Sequence, residues 1–287
     1  MKSQTVVSTL AIAASALLFV VSLAAIVLDD GGSTYMFTSA QGEIVNIYGG
    51  FGPYRYDTTY KAIAFRSFDW VSLVIVLPLF LAALRFYLRG QMKGRLLLAA
   101  LFTYLAYIYL IGFMGNAFNG LFLGWVTLFS LGCFGLFQVV SEINLPALPQ
   151  QLTVGFPVKP VAVYMLAVAA ILSAQYLVEI FGAYITGSPP SSLDHYTTLE
   201  LAGLELGLMI PLHILAGLLM WRRNAWGYLL STILAFAASM VFSALSISLL
   251  IPYFGSARGN LADLAITLSI TIVAAGFSLA IFRQIRD

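Results

Sequence analysis

Apolar residues follow one another along this chain in stretches of about twenty, without the alternation of a half-buried strand or the one-sided stripe of a surface helix. Eight such stretches occupy residues 5–28, 68–88, 95–114, 120–140, 160–182, 199–221, 226–251 and 261–282. A helix rising about 1.5 Å per residue needs about 20 residues to cross a hydrocarbon core of roughly 30 Å. The pattern therefore predicts an all-α integral membrane protein with eight transmembrane helices. The first run exceeds the apolar segment of a secretory signal, and no small-x-small cleavage site follows it, so it reads as a retained anchor helix.

Polar punctuation divides the chain. Residues 1–140 form a first four-helix half that includes an outer segment, 29–67; residues 159–287 form a second half. The loop 141–158 between them holds Pro146, Pro149 and Pro157, which stop the fourth helix from continuing. Eight spans put both termini on one side. With the N-terminus inside, Lys2, Arg85, Arg89, Lys93, Arg95, Lys159, Arg222, Arg223, Arg283 and Arg286 lie inside, against Arg55, Lys61, Arg66 and Arg258 outside. Ten against four predicts both termini in the cytoplasm and a multi-pass protein of the plasma membrane. The turns 89–95 (RGQMKGR) and 222–226 (RRNAW) become tight basic hairpins on that face. Most acids segregate the other way: only Glu142 and Asp287 fall inside, while Asp263 and the acids named below fall outside or in outer helix halves. Acids contribute little to topology, so either the outer loops simply need polar groups or an acidic cavity opens there.

The outer segment 29–67 is rich in Tyr and Phe. Its runs 35–40 and 43–48 flank Gln41-Gly42, the pattern of a short hairpin. Gly49, Gly50, Gly52 and Pro53 then break the chain. Residues 57–67 suit a short interfacial helix with Asp57 as its N-cap. The segment reads as an aromatic belt at the headgroups, as a lid over an outward cavity, or as the docking site of a protein partner.

The runs GGFGPYRYDTTYKA, FDWVSLVIVLPL, NAFNGLFLGWVTLFSL, HYTTLELAGLELGLMIPL and WRRNAWGYLL follow in that order between residues 49 and 230. Together they resemble a family of prokaryotic polytopic membrane proteins with a YRYDT-type outer motif. The resemblance implies a fold of about eight spans. No activity is established for that family, so it carries no residue role to this chain.

The halves share an order of features: Tyr56-Asp57-Thr58-Thr59, Asp69, Pro78, a basic hairpin and Gly94 in one; Tyr196-Thr197-Thr198, Glu205, Pro211, a basic hairpin and Gly227 in the other. Four spans per half would make this a parallel repeat about an axis along the membrane normal, relating Asp69 to Glu205 and Pro78 to Pro211. Each proline leaves a backbone carbonyl free four residues earlier, at Val74 and Gly207.

Glu205 is the most informative residue, roughly 9 Å into the sixth span. A charge at a helix centre costs about 2.5–3.5 kcal/mol on insertion scales, so this carboxyl has to be paired, hydrated or protonated. Gly203 and Gly207 beside it offer a face for close helix approach. His213 lies eight residues on, about 80° round the helix, where it can line the same cavity without touching Glu205. Glu179, Asp57, Asp69, Glu200 and His195 are the other candidate cavity or substrate-binding residues; carboxylates among them could also gather a hard cation. Tyr104, Tyr107 and Tyr109 bring hydroxyls into the third span, and at least one should face the interior.

Composition narrows the function. Charged residues are 9% of 287 and apolar ones 61%, against about 25% charged in soluble domains. That excludes a soluble enzyme, a disordered chain and a nucleic-acid binder. A lone Cys133 and two histidines leave no disulfide framework, thiolate cluster or bis-His haem, and no cofactor is expected. Nucleophile-elbow, zinc-helix, phosphate-loop and dinucleotide motifs are absent. The reading is a multi-pass protein, in contact with the lipid bilayer, whose outward-facing acidic cavity binds or transports a cation, a proton or a small polar solute. An outer-leaflet enzyme using carboxylates or a metal, and a non-catalytic subunit of a membrane complex, stay open as alternatives.

Overall fold

A computed structural model describes residues 2–254 and 261–286. Arg258 and Asp287, and the side chains of Lys2 and Asp263, lie outside the described residues. The chain is a multi-pass helical membrane protein: eight of its helices are long and apolar enough to span a bilayer. They are α1 (Lys2–Val27), α2 (Thr59–Leu88), α3 (Met92–Gly115), α4 (Phe122–Ser141), α5 (Val158–Thr186), α6 (Glu200–Trp221), α7 (Ala225–Phe254) and α8 (Leu261–Gln284). A two-stranded antiparallel hairpin, β1 (Tyr35–Thr38) with β2 (Ile44–Ile47), sits between α1 and α2, its turn passing through Gly42 at φ 87°.

The second helix differs from expectation. In place of an interfacial helix followed by a span, one helix runs from Thr59 to Leu88, because no breaker separates its two parts. Its N-cap is Thr58, whose hydroxyl accepts from the Lys61 N–H. Asp57 is turned elsewhere, as described below.

The two intrahelical prolines are accommodated in the same way. A proline has no N–H to give and its ring crowds the carbonyl four residues back. In α2 a π turn, Ser72–Val76, precedes Pro78, and the Leu77 N–H reaches five residues back to the Ser72 carbonyl. In α6 a π turn, Glu205–Met209, precedes Pro211, and the Ile210 N–H reaches back to the Glu205 carbonyl. The wider turn takes up the ring without breaking the helix. Both turns begin on a buried polar residue; Val74 and Gly207, further along, are exposed.

The basic hairpins also match. Gly90 (φ 77°) and Arg223 (φ 55°) make the left-handed step that reverses the chain. Gly94 and Gly227 then press against the preceding helix: a Cβ would lie 2.1 Å from the Tyr87 nitrogen at Gly94 and 2.2 Å from the Met220 nitrogen at Gly227. By contrast, nothing lies within 4 Å of a Cβ built on Gly203 or Gly207, so no helix uses that face.

At the centre α3 packs against α7; α2 and α4 flank α3, α6 and α8 flank α7, α1 lies on α2 and α4, and α5 lies on α6. Trp125 of α4 stacks on Tyr54 at 6.1 Å and, with Phe65, fills the bundle beneath the hairpin. The loop after α4 forms a short 3-10 turn, Leu145–Gln151, buries Leu148, and is tied to the chain's end by Thr153 N–H to Gln284 O and Arg286 N–H to Gln151 O, both 2.8 Å.

Gly94→Ala should lower unfolding stability by about 1–3 kcal/mol, the range for overpacking a close contact, while Gly203→Ala should change little. Denaturation midpoints in one detergent compare the two; equal tolerance at both sites contradicts the packing described.

Candidate functional site

Three polar groupings lie at the hairpin end and within the bundle. The first closes that end. Asp57 has no exposed surface. Its Oδ1 accepts the Ala117 N–H from the α3–α4 turn and the Tyr196 hydroxyl, each at 2.8 Å, and its Oδ2 has no partner. Burial pushes this carboxyl up to about 6, against the pull of those two hydrogen bonds. Beside it the Lys61 ammonium pairs with Glu200, donates to the Gly115 carbonyl and lies 3.8 Å over the Tyr196 ring. Thr58 donates to Asp194 at 3.1 Å. His195 meets Phe37 of β1 edge-on at 5.9 Å; burial lowers its pKa, and its Nδ1 has no partner. These contacts knot the hairpin, the start of α2, the α3–α4 turn and residues 194–200 into one cover. Every acid in it has a partner. In the turn before α4, Asn119 Oδ1 accepts from the Leu121 N–H at 2.8 Å.

The second grouping surrounds Asp69, 3% exposed, in α2. Tyr54 donates to its Oδ2 at 2.5 Å. Arg66 and Asp29 face it from the hairpin side, and Arg66 Nη1 donates to the Tyr48 hydroxyl at 2.6 Å. Ser22 of α1 sits against both Asp69 and Tyr109, though its hydroxyl closes no well-formed hydrogen bond. Tyr109 also faces Ser72, and Ser72 shares a 3.1 Å hydrogen bond with Tyr104.

The third grouping is the candidate site. Glu205 opens the π turn of α6, 6% exposed, and Tyr107 of α3 donates to its Oε1. His213, 4% exposed, has its Nδ1 2.8 Å from the Met209 carbonyl, which fixes the ring. The other ends of both groups, Glu205 Oε2 and His213 Nε2, have no hydrogen-bond partner in the protein. Both residues line one cavity between α3, α5, α6 and α7, of about 50 Å³, walled mostly by Val168, Leu172, Leu234 and Val241 with Tyr104 and Thr103 on the α3 side. A water needs about 10–15 Å³ of such space and two or more polar partners, so the cavity is large enough, and polar enough at this end, for a few waters or a small ion. An unpaired buried acceptor costs about 1–3 kcal/mol, more in hydrocarbon, where no solvent can relieve it.

Comparison with known proteins adds no relative: no family model matches the chain, and neither does any curated protein or solved structure. The functional reading therefore rests on the geometry of the three groupings.

The seven residues singled out in the sequence do not share one cavity. Glu205 and His213 meet at the cavity; Asp69 lies in the second grouping, held by Tyr54; Asp57, Glu200 and His195 belong to the cover. Glu179 accepts from the Ser191 hydroxyl at 2.9 Å and the Ser192 N–H at 2.7 Å, fastening the loop after α5. Among the described residues, no three His, Cys, Asp or Glu side chains gather where a metal ion would sit. Tyr107, Tyr54, Tyr196 and Lys61, the partners of the buried acids, were not singled out individually from the sequence. Their signal there is slight: Tyr107 is one of three tyrosines in an apolar span, and Lys61 follows Asp57 by four residues.

Asp57 gives a pH prediction. Its native pKa lies above the usual carboxylate value of 3.8, so the native state holds the proton more tightly than the unfolded chain. Its contribution is most favourable below about 4 and is lost as pH rises towards 6. The stability of wild type relative to Asp57→Asn should fall over that interval by up to about 3 kcal/mol. Thermal midpoints of both proteins across pH measure it; a pH-independent difference contradicts the assignment.

Proposed function

We propose that this multi-pass protein binds or conducts a proton, a small cation or a small polar solute at the cavity bounded by Glu205 and His213. The observation that carries the reading is that both residues are buried within a membrane span, line the same cavity and each keep an unpaired polar atom. Such groups are costly in a bilayer, and where they persist they mark pathways and relays. In this reading the hairpin end faces outward, both termini are cytoplasmic and the membrane is the plasma membrane, as the bias of ten Lys and Arg against four favours.

Two parallel four-helix repeats accord with the matched features: a π turn before Pro78 and Pro211, and an embedded glycine at 94 and 227. The spacing of proline and glycine is the same in both halves, and this register pairs Ser72 with Glu205. Asp69 then has no acidic counterpart. The chain on this reading belongs with the prokaryotic polytopic family that its sequence resembles. The outer-leaflet enzyme finds less support, because the acids of the cover are engaged by Lys61, Tyr196, Thr58 and Ala117.

In proteoliposomes carrying a pH gradient and a membrane potential, wild type should dissipate the gradient or take up a small cation, and Glu205→Gln should reduce flux about tenfold or more while keeping the fold. Flux unchanged by that substitution contradicts the reading.

A further inference from the structure

The proposed site lies deep in the bundle under a cover of paired charges, which leaves open how a proton would reach it. We infer that protons travel between the hairpin end and the Glu205–His213 cavity along a polar relay that starts at Asp69 and passes through Ser72 and Tyr104. The inference rests on the reading of that cavity as a proton site.

The relay is built from side chains that meet across helices. Asp69 is a carboxyl inside the bundle, faced by Tyr54 from the outer segment, Arg66 on its own helix, Asp29 after α1, and Tyr104 and Tyr109 on α3. Arg66, one turn earlier on α2, pairs with Asp29 at 3.2 Å and keeps 28% of its side chain exposed, so a polar, partly open region adjoins Asp69. Ser72 is next, three residues on and on the same face of α2. The Ser72 and Tyr104 hydroxyls are 3.1 Å apart, and either can donate, which a proton relay requires of each link. Tyr104 has no exposed surface, yet it lines the cavity wall alongside Glu205 and His213. The last gap lies across the cavity itself, whose roughly 50 Å³ exceeds what one water needs.

The chemistry balances without a co-reactant. Each hydroxyl accepts a proton on a lone pair and releases its own to the next oxygen, so one O–H bond forms as another breaks and no heavy-atom bond changes. The proton is delivered to the free Oε2 of Glu205 or Nε2 of His213. The π turn of α2 contributes directly, because it is Ser72, its first residue, that links α2 to Tyr104.

A second route would run along α5. Tyr176 of α5 faces both Glu205 and Glu179, but Glu179 Oε1 is occupied by Ser191 and Ser192. The test separates the two. Proton flux is measured in proteoliposomes for wild type, Glu205→Gln, Tyr104→Phe, Ser72→Ala and Tyr176→Phe, each first matched to wild type in chromatographic profile. Tyr164→Phe is the control; its hydroxyl is buried without a partner, away from the relay. Wild type should conduct, and more slowly in deuterium oxide. Tyr104→Phe and Ser72→Ala should each slow flux about tenfold or more, while Tyr176→Phe and Tyr164→Phe should not. Loss in Glu205→Gln with full flux in both Tyr104→Phe and Ser72→Ala overturns the relay and leaves the site standing, as does loss in Tyr176→Phe alone. Full flux in Glu205→Gln, or none in wild type, overturns the site and the relay together.

Discussion

A carboxyl group in hydrocarbon must be neutral or held by donors from the protein itself, because no water is there to solvate it. Among the described residues, two such carboxyls sit inside the spanning bundle, and in both cases a tyrosine holds one oxygen: Tyr54 on Asp69 and Tyr107 on Glu205. Much of the interior follows from that requirement. Tyr54 can reach Asp69 only because the outer segment folds down into the bundle, where its ring is sandwiched near Trp125 and Phe65. Tyr107 can reach Glu205 only because α3 is the shared central helix, in contact with α2 and α4 on one side and α6 and α7 on the other. The buried position of α3 is thus tied to its unusual load of hydroxyls.

The prolines add a second constraint that works with the first. A π turn relieves the clash at Pro78 and Pro211, and it also shifts the helix phase so that the residue opening the turn points inward. In α2 that residue is Ser72 and in α6 it is Glu205. One backbone device therefore sets a hydroxyl in α2 and a carboxyl in α6 against two tyrosines of α3, Tyr104 and Tyr107. Glu205, in the cavity wall, keeps an unpaired oxygen, while Asp69 accepts from Tyr54 and Ser72 is bonded to Tyr104.

Much of this architecture was legible in the sequence, and its limits were physical. Length and apolarity alone give eight spans, and Gln41-Gly42 between two apolar runs gives the hairpin. Glu205 stood out because its insertion is costly, and His213 because of its angular position. What periodicity could not supply was the partner of each polar group, since tyrosine directions across helices depend on packing. The Asp57 N-cap failed because Thr58 offers a hydroxyl one residue later, leaving the carboxylate to bind Ala117 and Tyr196 from distant parts of the chain. The Gly203/Gly207 face failed as a packing face because, among the described residues, nothing comes within 4 Å of a Cβ built at either position. The relation of Asp69 to Glu205 rested on order alone, whereas the proline and glycine spacing puts Ser72 opposite Glu205.

The central claim is that Glu205 is a protonatable group at a cavity it shares with His213. Infrared difference spectroscopy of the lipid-reconstituted protein across pH tests it most directly, by following the carbonyl stretch of protonated carboxyls. The account predicts a titrating band that disappears in Glu205→Gln and shifts in His213→Gln, because the two groups face the same space. A spectrum without a band lost in Glu205→Gln, or a Glu205 band indifferent to His213, would contradict it.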